Sequence, residues 1–223
     1  LSSSSAASDV YKRQEMTRMQ DEVITGIANL IESRDGSTGL HVKNTQNYVQ
    51  ILTKALREKG MYPDILDHNY ELNTVKASVL HDIGKIKTPD AILLKPGRLT
   101  DEEFEVMKQH TVAGCEIIDR IIGNVEHEEY VDIARKIARY HHERWDGTGY
   151  PDGLSGEEIP LCARIMALAG VFDALYQDRC YKKAIRPASK VFEIIKENSG
   201  SQFDPNLTEI FLELQREITD ISE

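Results

Sequence analysis

From Glu15 onward the apolar residues of this chain return at three- and four-residue steps, and nowhere do they alternate over a useful length. A helix buries that pattern on one face, whereas a strand would need a period of two. Val23, Ile24, Ile27, Leu30 and Ile31 predict one buried helix face, and Tyr48, Val49, Leu52 and Leu56 predict a second. A third helix is expected from about Leu72 into Leu80-His81-Asp82, stopping near Gly84. Thr100-Asp-Glu-Glu103 reads as a capping box opening a helix that carries Phe104, Val106 and Met107 and continues through Ile117, Ile118 and Ile121. Val131, Ala134, Ile137 and Ala138 mark another, ending in His141-His142, and Pro160 opens an apolar run through Ile165, Leu168, Val171, Phe172 and Leu175. Pro187 and Pro205 suit first helical turns, with Asp204 as an N-cap. The fold expected is all-α, a single helical domain without internal repeats.

Charge narrows the function classes. Lys+Arg 27 against Asp+Glu 37 leaves a net charge of −10, which argues against a general nucleic-acid or anionic-membrane binder. A local basic cluster could still hold a small anionic ligand. No apolar run approaches the ~20 residues of a membrane span. Three widely separated cysteines (Cys115, Cys162, Cys180) form no disulfide framework, so a reducing cytoplasm is the expected compartment. Residues 1–14 lack amphipathic period and an initiator Met, and read as a non-native adapter-like segment; residues 15–223 are assigned to the domain. Nothing in 1–14 has the basic start and apolar centre of a secretory signal.

Five of the seven histidines sit in purposeful settings. His81 precedes Asp82 at an expected helix end, His141-His142 ends another helix, and His41 and His110 lie near helix ends; His68 and His127 read as ordinary side chains. Nitrogen and oxygen donors without thiolates suit manganese, iron or zinc. Adjacent helical residues point about 100° apart, so a neighbouring pair can face two ions. A carboxylate can bridge those ions, and two ions about 3.5–4 Å apart stabilise both attacking and leaving oxygens in phosphodiester cleavage. Such a site needs no Ser or Cys nucleophile. The dense turn formers of Asp146-Gly-Thr-Gly-Tyr-Pro-Asp-Gly153 follow the histidine pair at once, and predict a loop lying over it.

In order along the chain, His81-Asp-Ile-Gly-Lys85, Lys108-Gln-His-Thr111 and His141-His-Glu-Arg-Trp-Asp-Gly-Thr-Gly-Tyr-Pro151 closely resemble the HD-GYP domain. Gly156, Ile159-Pro-Leu161, Ala163-Arg-Ile165, Val171-Phe-Asp-Ala-Leu175, Arg179-Cys-Tyr-Lys182 and Phe203-Asp-Pro205 extend the resemblance over roughly Glu22 to Ile218. The resemblance implies an all-helical, metal-dependent phosphodiesterase acting on the bacterial messenger cyclic di-GMP and giving pGpG or GMP. It implies two divalent ions, iron or manganese, held by His41, His81, Asp82, His110, His141 and His142, with Asp82 bridging. It places Lys85 beside the scissile phosphate with Asp82 as the catalytic pair, and Asp173, Arg179 and Lys182 against the ligand. It also implies an N-terminal receiver or sensor module and a homodimer as partners, and no DNA.

Two positions depart from that pattern. Family members carry Ala-Asp-Val-Phe-Asp where this chain has Ala169-Gly170-Val171-Phe172-Asp173, so a metal-closing carboxylate is replaced by Gly170. The incomplete site would bind metal more weakly, hold one ion, or reflect a single-base reading error. Ser37 stands four residues before His41, where members with three metals have Glu, so two ions are the ceiling. Cys180, where proline is usual, is expected to alter only loop stiffness. The competing expectation is a degenerate domain that binds the dinucleotide or a partner without turnover; a hydrolase for another phosphorylated nucleotide is the third.

Overall fold

The computed structural model describes residues 2–35, 40–123, 128–177 and 183–222. Among them the elements are α1 (Ser2–Glu32), α2 (Leu40–Glu58), α3 (His68–Ala77), α4 (Asp90–Leu93), α5 (Asp101–Ile122), α6 (Glu128–Tyr140), α7 (Leu161–Tyr176), α8 (Ala188–Glu197), α9 (Pro205–Glu213) and α10 (Gln215–Ser222), linked by short 3₁₀ turns. No strand occurs among the described residues, and none of their helices is long and apolar enough to cross a membrane. The fold is all-α.

The centre is α7, whose buried residues run from Leu161 through Tyr176 on all sides, as an enclosed helix requires. Against it packs α2, where Tyr48, Val49, Leu52 and Leu56 are fully buried as their spacing predicts. Phe172 joins the halves, edge-on to Tyr48 at 5.1 Å and close to Phe192 and Phe211. Several helix ends match their local chemistry. The Thr100–Glu103 capping box forms, Asp204 accepts the Asn206 and Leu207 amides, and Pro187 immediately precedes α8.

Two expectations are corrected. The predicted helix from Leu72 to Gly84 is instead α3, started by an Asp67 N-cap, then a 3₁₀ turn Ser78–Leu80 and a second one Ile83–Lys87. Ser78 Oγ donates to the Val75 carbonyl, and the His81 amide reaches only three residues back, to Ser78 O. This tightening leaves His81 and Asp82 at a junction between turns, where both side chains can face one centre. In α1 the buried residues are Ala28, Ile31 and Glu32, with Ile24 partly covered; Val23 (56% exposed), Ile27 and Leu30 (70% exposed) face outward. At about 100° per residue the second set lies roughly a third of a turn from the first, so the sequence carries two stripes where one was expected. α1 also runs through residues 2–14, which show no amphipathic period.

One glycine sets how closely the metal-motif turn approaches α5. A Cβ on Gly84 would lie 1.8 Å from His110 O and 2.5 Å from the Gly114 amide nitrogen, both rigid backbone. Gly114 is looser, its added Cβ meeting the Ala138 Cβ at 3.3 Å. Gly84→Ala is therefore expected to cost about 2 kcal/mol or more, as overpacking does, and Gly114→Ala distinctly less. Urea unfolding of the two variants side by side checks the ordering.

Candidate metal centre

Three helices and one junction deliver the cluster. His41 comes from the first turn of α2, His110 from the middle of α5, and His141 and His142 from the end of α6; His81 and Asp82 occupy the junction after α3. His41, His81, Asp82, His110 and His141 are all buried. Their potential ligand atoms fall into two groups, Asp82 with His110, His141 and His142, and Asp82 with His41 and His81, each within 4.8 Å of one another. Asp82 belongs to both.

The imidazoles are held from behind. Nδ1–H of His81 donates to Ser78 O at 2.9 Å, that of His110 to Met107 O at 2.6 Å, and that of His141 to Ile137 O at 3.0 Å. A carbonyl only accepts, so each Nδ1 carries the proton and each Nε2 is aimed inward. His41 Nδ1 meets Asp173 Oδ2 at 2.5 Å. Asp82 Oδ2 lies 3.2 Å from His81 Nε2, and Oδ1 lies 3.3 Å from His110 Nε2 and 3.6 Å from His141 Nε2. With the proton on Nδ1, His110 and His141 both turn Nε2 toward a carboxylate oxygen. Accordingly, Asp82 Oδ1, His110 Nε2 and His141 Nε2 are buried without a hydrogen-bond partner. Opposed acceptors in a buried place fit a cation between them, and this donor set suits a divalent first-row metal.

Electrostatics agree. Burial penalises the Asp82 charge, yet Lys85 and then His81 hold its carboxyl well below the ordinary value. Burial pushes the His141 imidazole down to about 4 and lowers His142 as well, which keeps both neutral and able to ligate at pH 7. For His81 burial acts downward, but Asp82 outweighs it and the pKa rises. Lys85 Nζ is 2.7 Å from Asp82 Oδ2 and 3.3 Å from Glu32 Oε1. A cavity of about 350 Å³ opens above the cluster, with Ile92, Leu93, Leu99, Met107 and Met166 among its apolar walls and Gly170 on its rim.

The loop after the histidine pair does lie beside it. Tyr150 stacks on His142 at 4.8 Å. A Cβ on Gly149 would meet the Arg144 amide nitrogen at 2.3 Å, so only glycine lets the loop fold back this closely. Buried Glu143 accepts from the amides of Asp152, Gly153 and Leu154 and anchors the far side, a role its place in the motif did not disclose. Trp145 is one face of a stack with Arg164, which pairs with Asp204 at 2.7 Å.

The remaining predicted positions divide. Asp173, expected against the ligand, is fully buried and turned to His41, because the α7 turn that carries it faces the core. Arg179, Lys182, Cys180, Ser37 and His127 lie outside the described residues. His68 is exposed on α3, away from the cluster. Glu32 and Arg34 were not singled out by sequence, yet both reach the Lys85 turn. The available signal was an acidic residue in the last turn of α1, where the helix dipole disfavours negative charge unless a cation compensates.

Comparison with known proteins gives the class. The HD domain family model matches residues 27–207. The chain belongs to that family, and its ordered motifs are those of the HD-GYP branch. A cyclic di-GMP phosphodiesterase of Vibrio cholerae is 44% identical over 213 residues, covering 94% of this chain and 42% of the relative. A 3′3′-cGAMP-specific phosphodiesterase 2 of the same organism is 36% identical over 192 residues, covering 86% of this chain and 34% of that one. The chain thus spans less than half the length of these relatives. The solved structure of Bd1817, an HD-GYP-type protein of Bdellovibrio bacteriovorus, shares the fold at a TM-score of 0.58 with 17% identity, over 93% of this chain and 67% of that one.

His81→Ala is expected to abolish divalent-metal retention, and His68→Ala to leave it unchanged; elemental analysis after gel filtration checks both. Acid should weaken the metal-free protein. His141 has a lower pKa folded than its ordinary 6.5, so the unfolded chain binds more protons between about 6.5 and 4, and stability falls as pH falls through that window. His81 contributes with the opposite sign. In chelator-treated protein, the drop in Tm from pH 7 to pH 5 should be smaller in His141→Gln than in the parent.

Proposed function

We propose that this domain is a metal-dependent phosphodiesterase that opens cyclic di-GMP to linear pGpG or GMP in the cytoplasm. The observation that carries the reading is the double membership of Asp82, one carboxylate shared by two imidazole groups at the floor of a cavity. His110, His141 and His142 would hold one ion with Asp82, and His41 and His81 the other. Such ions, when bound, supply Lewis acidity at phosphorus and lower the pKa of attacking water. Iron and manganese both suit this donor set.

The chain's own residues do the rest. The Lys85 ammonium, beside Asp82 at the cavity edge, offers fixed positive charge to a phosphate oxygen as negative charge develops. Apolar walls from Ile92, Leu99, Met107 and Met166 suit the flat faces of nucleobases. Tyr150 screens one side of His142. Asp173 fixes the His41 tautomer and ring orientation from behind. Arg179 and Lys182 complete the reading as charges for the dinucleotide phosphates. We assign residues 15–223 to the domain, which the family match over 27–207 supports. A receiver or sensor module joined to it, and a dimer, belong to the same reading.

The relative named for 3′3′-cGAMP makes that hybrid dinucleotide the second substrate to assay. The Gly170 departure is testable in place. Its backbone sits on the cavity rim, and an added Cβ meets only the Met166 Cε, at 3.6 Å, so a side chain fits. Bound metal and turnover of both dinucleotides are measured for the parent and for Gly170→Asp. The parent is expected to hydrolyse cyclic di-GMP, and the variant to retain metal about tenfold more tightly. Turnover by the variant alone would make the parent a binding domain, and turnover by neither would overturn the enzymatic reading.

A further inference from the structure

The last turn of α1 grips the Lys85 turn twice. Glu32, 2% exposed, places Oε1 3.3 Å from Lys85 Nζ, while Asp82 Oδ2 holds the same nitrogen at 2.7 Å from the other side. Two residues on, Arg34 donates from Nη1 to the carbonyls of Lys85 and Ile86, both at 3.2 Å. Its Nη2 donates to Thr88 O at 3.3 Å and to Asp90 Oδ1 at 2.6 Å. Head group and backbone of the same lysine are therefore fixed from one short stretch of chain.

A buried glutamate is costly unless a cation meets it, and in the last turn of a helix it also opposes the dipole. Lysine is a flexible point charge on a four-carbon stem, so its ammonium must be anchored before it can act as preorganised charge. Asp82 alone is a poor anchor, because it is the carboxylate that both imidazole groups share. A second carboxylate holds the ammonium near the cavity while Asp82 is engaged with metal. We propose that Glu32 is a positioning residue for Lys85, assisted by Arg34, and that the C-terminal end of α1 is a structural part of the catalytic apparatus. The inference rests on the phosphodiesterase reading only for its effect on rate.

The test uses the full chain in parent form and as Glu32→Gln, Lys85→Ala and the double variant. Glu32→Gln is expected to keep the parent's metal content and KM within about twofold and to lower kcat about 10–100-fold, the range for outer-sphere partners. In the Lys85→Ala background the same substitution should have no further effect on kcat, because residues acting as a unit are non-additive. Additive losses, or loss of metal with Glu32→Gln, would overturn the proposal. A readout independent of turnover separates it from the enzymatic reading. Acetic anhydride labelling of chelator-treated protein, read by peptide mass spectrometry, should show Lys85 more reactive in Glu32→Gln than in the parent, with Lys54 unchanged. Equal Lys85 labelling overturns the anchor even if the parent hydrolyses its substrate. Should Glu32→Gln fail to fold, Glu32→Gln with Lys85→Met should recover thermal stability, and no recovery would count against the pair.

Discussion

One buried carboxylate organises this molecule. Asp82 sits among His81, His110 and His141, with the Lys85 ammonium as its nearest full counter-charge. Taking such an anion out of water costs several kcal/mol, and removing only one of its partners would strand it. The surrounding structure is built to keep those partners in place. The helix expected through Leu80 breaks into 3₁₀ turns so that His81 and Asp82 turn to one side, and Gly84 lets that turn settle directly on the backbone of α5 beside His110. The imidazoles of His81, His110 and His141 are then each fixed by a main-chain carbonyl one turn back.

Helix α7 shows how the same centre is closed from the opposite side. Gly170 and Asp173 are one turn apart, and only Gly170 reaches the cavity. Asp173 is buried and meets His41 from behind, on the side of the ring away from Asp82. Losing a carboxylate at position 170 subtracts charge from the cavity side without disturbing the His41 support. The two positions of the motif are thus separable in physical terms, the first facing the cavity and the second the back of the His41 ring.

Much of this was legible in the sequence, and the gaps have causes. Tyr48, Val49, Leu52 and Leu56 announced α2 because one clean stripe meets one core, and Thr100 with Glu103 announced the start of α5 because the capping groups are local. Periodicity failed at Ser78 because no glycine or proline marks the break; a side-chain hydroxyl and tertiary packing against α1, α2 and α6 make it. It failed on α1 because Ala28 and Glu32 carry little apolar weight, although they are the buried side. The six metal-ligand candidates could be named since identity and order carry them, whereas the Nδ1 acceptors are mostly carbonyls and have no sequence signature. The burial of Asp173 was not legible, because a motif gives position along a helix but not which face is enclosed.

The charges of the centre are secured by two different kinds of structure. The imidazoles stand on α2, α5, α6 and the junction after α3, elements whose apolar faces fill the core, so their positions follow from packing. Lys85 stands on a 3₁₀ turn, and the contacts that fix it are polar: Glu32 to its head group, Arg34 to its carbonyl. Close-packed cores resist small displacements collectively, while a polar tether yields when either end moves. A shift of α1 would therefore reach the lysine before it reached the histidines. The imidazole cluster and the lysine draw on separate parts of the fold, joined at the two oxygens of Asp82.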